Sequence, residues 1–384
     1  MTAVDLFASA QRLAPQFGKR AAEIERARRI PPDVSAQMAQ AGFYRMFVPA
    51  AYGGLEVPPH VASQVFEALA RADASCGWVA FIGATSGAML ARLPPDTART
   101  IFADPMTLMC GVFAPSGTAA TTAGGFIVNG HWQWGSGSQN ARWILGGCTI
   151  SDDGELLRTS SGAPRNHMLV FAPEQVHFLD TWHVSGLRGS GSLDFEVHDA
   201  FVPESHAVGY LIQSNPDRPL YQFPQFALLA LGIAAVTLGV ARGAIDEIIA
   251  LATTKVRAGS STALANRPHA QMEVAKAEAN LRSARAFYYE TIEAAWDQAL
   301  RGEPIPVEQR RDVRLATTHA VQASVLAVDA MYTLAGGTSV YETSDLQRRF
   351  RDVHVATQHV MVAPSTLETV GRLLLGIETN TQML

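Results

Sequence analysis

The 384-residue chain is 48% hydrophobic and has a formal net charge of −5, the composition of a globular protein long enough for two or three cores. Its lysines and arginines are scattered rather than gathered into a basic stripe, which argues against a nucleic-acid-binding surface. The opening "MTAVDLFASAQRLAPQF" lacks a basic stretch followed by an apolar one, so secretion is not expected, and three widely spaced cysteines, Cys76, Cys110 and Cys148, suit free thiols in a reducing cytoplasm.

Residues 1–105 read as a helical domain. In "PPDVSAQMAQAGFYRMFVPAAYGG" prolines open a helix and a glycine closes it, and the alanine-rich "VASQVFEALARADASCGWVAFIGATSGAMLARL" suits closely packed helices. Over 106–215 the period changes to that of a β-domain. "GGFIVNGHWQWGSGS" sets Asn129-Gly130 between two apolar or aromatic runs, predicting a hairpin whose turn residues take positive φ. "RWILGGCTI" and "HMLVFAP" are predicted strands separated by the turn "SDDG". In "GSLDFEVHDAFVP", Leu193, Phe195 and Val197 alternate with Asp194, Glu196 and His198, the mark of a half-buried antiparallel strand.

Residues 216–384 return to helices. The uncharged stretch 219–241 has the length of a membrane span, but Pro224 interrupts it and "RGAIDEII" continues the pattern with charges. A buried bundle helix over roughly 225–256 is therefore expected, and no membrane. Pro268 suits the first position of the next helix, and a third is expected over 307–334, running into Gly336-Gly337. Ser344 with Gln347, and Ser365 with Glu368, have the spacing of capping boxes, so two more helices should start there. "RAGSSTALANRP", 257–268, reads as a loop. The order is α, β, α: an α+β chain.

Two glycine–serine clusters and one histidine stand out. "GLRGSGS", 186–192, precedes a strand rather than a helix, so no helix N-terminus would face a pyrophosphate. "WGSGSQNARW", 134–143, is either a β-turn or a set of donors around a planar ligand flanked by Trp132, Trp134 and Trp143. His354 and His359 are five residues apart, which does not place them on one helical face as metal ligands. His359, in "FRDVHVATQHVMV" near the end of a helix, is either a core residue or the working group of an active site.

The α–β–α order and five segments together resemble the acyl-CoA dehydrogenase superfamily over nearly the whole chain. These are "FVPAAYGGLE", "ARADASCGWV", "WQWGSGSQNARW", "WHVSGLRGSGSLDFEVHDAFVP" and "LAGGTSVYETSDLQRRFRDVHVATQH". The resemblance implies an N-terminal helical domain, a middle antiparallel β-domain and a C-terminal four-helix bundle, assembled as a homotetramer. A dehydrogenase of this family removes a proton with a carboxylate base after the Arg-Asp helix. Here "ATQHVMVAPS" has no Asp or Glu, nor has the alternative place, "FPQFALLA". An FAD-dependent acyl-CoA or nitroalkane-type dehydrogenase or oxidase is thus the lesser alternative.

The branch with histidine at this place resembles the oxygenase components of two-component flavin-dependent monooxygenases, the group D aromatic hydroxylases. That likeness implies reduced FAD or FMN delivered by a separate flavin reductase, O₂ as cosubstrate and a C4a-hydroperoxyflavin that hydroxylates a small aromatic, phenolic or indolic substrate. It also implies roles. Ser136 matches the hydroxyl that bonds flavin N5, two residues after the aromatic Trp134. His359 corresponds to the substrate base, its charged form favoured by a helix C-terminus. Ser190 and Ser192 match flavin contacts, Arg257 a phosphate contact, and Gly336 and Gly337 a close approach to the distal half of the cofactor. Arg351 and Asp352 are expected to form a structural ion pair. Thr333 replaces the family's glutamine before the Gly-Gly turn, which leaves FAD and FMN both open.

Overall fold

The computed structural model describes residues 3–210, 218–256, 259 and 261–384. The helical start comprises α1 (Ala3–Gly18), α2 (Ala21–Ala27), α3 (Pro32–Gln40), α4 (Pro59–Ala72), α5 (Ala74–Met89) and α6 (Pro95–Ile101). Prolines occupy the first turn of α3, α4 and α6, where their missing N–H costs nothing. α5 is buried on nearly every face and packs on α4 and on the long helix Gln225–Ala252.

The sheet contains β1 (Met109–Thr122), β2 (Gly125–Gly135), β3 (Trp143–Asp152), β4 (Glu155–Leu156), β5 (Asn166–Phe171), β6 (His177–Leu179), β7 (Leu193–Pro203) and β8 (Ala207–Gly209). Its order is β6-β7-β2-β1-β3-β5-β8, with β4 paired to β3. The sheet is mixed, not wholly antiparallel, because β1 and β3 run parallel. The "SDDG" hairpin forms between β3 and β4, with Asp153 and Gly154 at positive φ.

The hairpin expected at Asn129-Gly130 does not form there. Chain reversal comes earlier, at Gly124 with φ 80°, and Asn129-Gly130 lies inside β2 opposite Gly117 and Thr118. Gly130 is needed for space instead: a Cβ there would stand 2.4 Å from the Trp132 ring and 2.7 Å from Gly117 Cα. Asn129 spends its amide on the neighbouring strand, donating to Asp199 Oδ1 and accepting the Asp199 N–H, both at 2.9 Å.

The remaining helices are α7 (Pro219–Gln222), α8 (Gln225–Ala252), α9 (Pro268–Leu300), α10 (Val307–Ala335), α11 (Asp345–Ala356) and α12 (Ser365–Leu374). α8 is the apolar helix singled out from the sequence, and 89% of its most apolar window is buried inside the protein. α8, α9, α10 and α11 pack as the C-terminal bundle. α11 and α12 begin where expected, but neither serine makes the capping bond. Gln347 is otherwise engaged, donating to the Glu342 carbonyl and accepting from Arg351 Nε at 2.7 Å.

Candidate active site

A cavity of about 1460 Å³ opens where α5, the sheet, α8 and the chain after α11 meet. That exceeds the about 300–1,000 Å³ of an ordinary small-molecule pocket, leaving room for a planar cofactor and a second aromatic molecule. Trp134, Ser136, Ser190, Ser192 and His359 all line it. Gly336 and Gly337 do not, although a Cβ on either would meet nothing within 4 Å. Arg257 lies outside the described residues.

One wall is made by a β-bulge. Trp132 pairs with Phe195 and Gly135 with Leu193, so β2 carries an extra residue against β7. The bulge places Trp134 at φ 68° and leaves its side chain 66% exposed. Asp194, buried rather than solvent-facing as its alternation predicts, accepts the Trp134 N–H at 3.4 Å. The other two tryptophans do not flank the cavity. Trp132 is fully buried, donates to the Gly147 carbonyl at 2.8 Å and stacks on Phe195. Trp143 packs beside His206.

Beneath Trp134 runs a chain of hydroxyls. Ser136 Oγ lies 2.6 Å from Ser192 Oγ, which lies 2.7 Å from Ser190 Oγ. Trp78 Nε1–H, from α5, donates to Ser136 Oγ at 3.0 Å. An indole N–H can only donate, so one lone pair of Ser136 is committed. With Ser192 donating to the second lone pair, the Ser136 proton is free; with Ser136 donating to Ser192, a lone pair is free. Either way one hydrogen-bonding function is available to the cavity.

The two serine-bearing loops are joined by Gly137 N–H donating to the Ser190 carbonyl at 2.8 Å. The 186–192 loop is fixed from behind by α11. Asp352 accepts the Leu187 N–H at 2.6 Å, and a Cβ on Gly186 would stand 2.3 Å from the Arg351 carbonyl oxygen. Burial pushes the Asp352 carboxyl up to about 7. Arg351 and Asp352 are not paired with one another: Arg351 bridges to Glu25 at 2.6 Å and bonds the Ser185 carbonyl.

His359 differs from expectation in its backbone setting. α11 ends at Ala356, and His359 is the N-cap of the short turn Val360–Val362, its Nδ1 accepting the Met361 N–H at 3.2 Å. It therefore faces the positive end of a turn rather than the negative end of a helix. Burial, and then the charge of Arg314, lower its pKa to about 4. At neutral pH the ring is uncharged, and with Nδ1 accepting, its proton resides on Nε2. His359 lines the cavity with Nδ1 occupied, so its remaining hydrogen-bonding function is the Nε2–H. Its ring stands edge-on to Trp78, 6.1 Å between centroids.

Sequence reasoning missed Trp78, whose N–H fixes Ser136, and the cavity's charge. Among the described lining residues are Arg92, Arg158, Arg165 and Arg310, but no Asp or Glu. The absence of an Asp or Glu side chain among the described lining residues leaves proton abstraction from a thioester without its expected base. The exposed, bulge-held Trp134 beside three hydroxyls fits the edge and face of a flavin ring.

Residues 4–107 match the family described as acyl-CoA dehydrogenase, N-terminal domain, and residues 231–364 that described as acyl-CoA dehydrogenase, C-terminal domain. The chain is 37% identical over 358 residues to an indole-3-acetate monooxygenase of Pseudomonas putida, covering 93% of this chain and 90% of that one. It is 28% identical to the oxygenase subunit HsaA of a flavin-dependent monooxygenase from Rhodococcus jostii, covering 92% and 93%. XiaF from Streptomyces, solved with FADH2 and glycerol, superposes with a TM-score of 0.90 at 25% identity, covering 98% and 96%.

Proposed function

Because this chain belongs to the acyl-CoA dehydrogenase family and is a flavin-dependent monooxygenase of the oxygenase-component type, we propose that it hydroxylates a small indolic or phenolic compound with reduced flavin supplied by a separate reductase. The observation that carries this reading is the convergence of Ser136 and His359 on Trp78 in a cavity whose described lining holds no Asp or Glu side chain. Indole-3-acetate is the first substrate to try, being the compound named for the Pseudomonas relative.

Reduced flavin, when bound, supplies two electrons with which O₂ is split between the product and water. The chain's own groups do the rest. Trp134 offers a face to the flavin ring, and Ser136, oriented by Trp78 and Ser192, offers its free hydrogen-bonding function to the ring's N5 edge. Ser190 and Ser192 extend that contact, with Gly336, Gly337 and Arg257 assigned to the distal half of the cofactor. The apolar wall of Ile82, Phe226 and Leu229 excludes water, which would otherwise divert the oxygen to H₂O₂. His359 Nε2–H donates to an oxygen of the substrate and holds the aromatic ring in place. Exposed Leu326, Val340 and Tyr341 support assembly as a homotetramer, and three buried free cysteines support a cytoplasmic setting. FAD and FMN remain equal choices.

The test is rapid mixing of the protein and chemically reduced FAD or FMN with ¹⁸O₂, with and without indole-3-acetate. One ¹⁸O atom in the product per flavin oxidised is the expected result. Full conversion of the oxygen to H₂O₂ across a panel of indoles and phenols would overturn the reading, and anaerobic bleaching of bound FAD by an acyl-CoA would favour the dehydrogenase alternative.

A further inference from the structure

The ionised side chains among the described lining residues are all arginines, Arg92, Arg158, Arg165 and Arg310, and none forms an ion pair with a described Asp or Glu. Arg310 and Arg314 lie one turn apart on α10, about 6 Å along the helix axis, and neither forms an ion pair with any described residue. Their neighbour Arg311, by contrast, pairs with Asp312 at 2.8 Å. The Nε of both Arg310 and Arg314 is buried without a hydrogen-bond partner. Arg314 is 3% exposed, and its contacts are long: the Phe226 carbonyl at 3.4 Å, Thr366 Oγ1 at 3.4 Å and Met361 Sδ at 3.7 Å.

Burial lowers the Arg314 pKa to about 10, with no carboxylate opposing it. A buried cation without an anion is costly, and two like charges four residues apart on a helix repel. Phe226 and Met361, the residues that Arg314 touches, line the cavity, and so does Arg310 itself. Met361 also donates its N–H to His359. The unpaired Arg314 charge thus lies close enough to His359 to help lower the pKa of its ring.

We infer that Arg310, reinforced by the buried charge of Arg314, is the subsite for a carboxylate on the substrate, so that this enzyme selects aromatic acids over their neutral analogues. The inference rests on the reading of the cavity as an aromatic hydroxylase site, and it adds the residue and the charge that choose among aromatics. A guanidinium presents a planar fork that takes a carboxylate with two parallel hydrogen bonds. An anion there would also settle the repulsion between the two arginines. Arg314 forms the electrostatic floor, and Arg310, partly exposed to the cavity, makes the contact.

Calorimetric binding to the flavin-free protein separates this inference from the reaction. Wild-type protein is expected to bind indole-3-acetate at least about tenfold more tightly than 3-methylindole. Arg310→Met should weaken indole-3-acetate by about 10- to 100-fold, the size of one charge-assisted hydrogen-bonded contact, while leaving 3-methylindole within about twofold. Arg310→Lys should recover part of the loss, keeping the charge without the fork. Equal loss of both ligands, or preserved discrimination, would overturn the assignment, as would discrimination lost in Arg165→Met instead. Product analysis decides the underlying reading separately. Arg310-dependent binding of the acid without any ¹⁸O in a product would keep the carboxylate subsite and remove the oxygenase reading. Labelled product with no Arg310-dependent preference would do the reverse.

Discussion

Trp78 touches both Ser136 and His359: its indole N–H donates to Ser136 Oγ at 3.0 Å, and its ring stands edge-on to the His359 imidazole, 6.1 Å away. Trp78→Phe keeps the ring and deletes the N–H, so Ser136 loses its one fixed donor. Product formed per flavin oxidised should fall about 5- to 30-fold, the range of one to two kcal/mol for an orphaned buried hydrogen bond. H₂O₂ should rise in step, while flavin affinity stays within about threefold. Unchanged coupling would remove Trp78 from the control of Ser136.

Ser136 is buried at the end of a three-hydroxyl chain. Ser136→Ala should raise H₂O₂ release more than Ser190→Ala, because Ser190 reaches Ser136 only through Ser192. Parallel measurement of H₂O₂ and product across the three single alanine variants checks this order. Equal uncoupling in all three would mean that the chain acts as one structural unit.

His359 is held neutral, with its pKa lowered to about 4. Between pH 5 and 8 its ionisation should therefore leave kcat/KM flat. His359→Ala should lower product formation by about tenfold or more, and His359→Gln, which retains a donor, should lose less. An acid limb near pH 6.5 that disappears in His359→Ala would show that the ring titrates in the working range and acts as a base.

The same lowering has a consequence for stability. His359 and His167 are both held at about 4 by burial, whereas the unfolded chain takes up protons near 6.5. The unfolded state then binds more protons between those values, so stability is complete above about 6.5 and is lost as pH falls through about 4. His359 contributes up to about 2 kcal/mol of that loss by pH 5, and the less buried His167 a smaller share. His167→Phe, at a ring edge-packed on Phe126, should lessen the drop in Tm between pH 7 and 5; an identical drop would exclude His167 as a contributor.

Asp352 fixes the loop that carries Ser190 and Ser192 through the Leu187 N–H. Asp352→Ala should weaken flavin binding by about tenfold, whereas Asp352→Asn, whose amide oxygen still accepts, should recover most of it. Fluorescence titration with reduced flavin under anaerobic conditions reads both, and equal loss in the two variants would mean that charge rather than the hydrogen bond matters.

The fold was largely legible because its signals are local. Proline starts, the apolar run of α8 and the alternation of β7 each depend on residues a few positions apart. The Asn129-Gly130 hairpin failed because a dipeptide suited to a turn was used for another local need, the space beside Trp132 and the bond to Asp199. Trp134 and the serines were found through the resemblance, and the structure brings them to one cavity. Trp78 and Arg310 were not found, since an apolar helix gives no sign that one of its indoles points a donor at a residue 58 positions away. Nor does a sequence show that an arginine lacks a counter-ion: Arg310, Arg311 and Asp312 are adjacent in the chain, yet Asp312 is engaged by Arg311. His359, singled out from the sequence, lines the cavity, but its hydrogen-bonding sense depends on a turn three residues long.

Ser136 and Ser192 come from facing ends of β2 and β7, and the bulge at Trp134 pins how those strands align. Displacing one strand by a single residue would turn its side chains to the opposite face, and the hydroxyls would no longer meet. The Ser190–Ser192 contact is local, but the Ser136–Ser192 contact joins residues 56 positions apart, so the complete hydroxyl chain cannot precede correct strand pairing. Flavin capture during refolding is thus a clock for strand alignment: it should lag the recovery of helical signal and coincide with protection of the β2–β7 amides from hydrogen exchange.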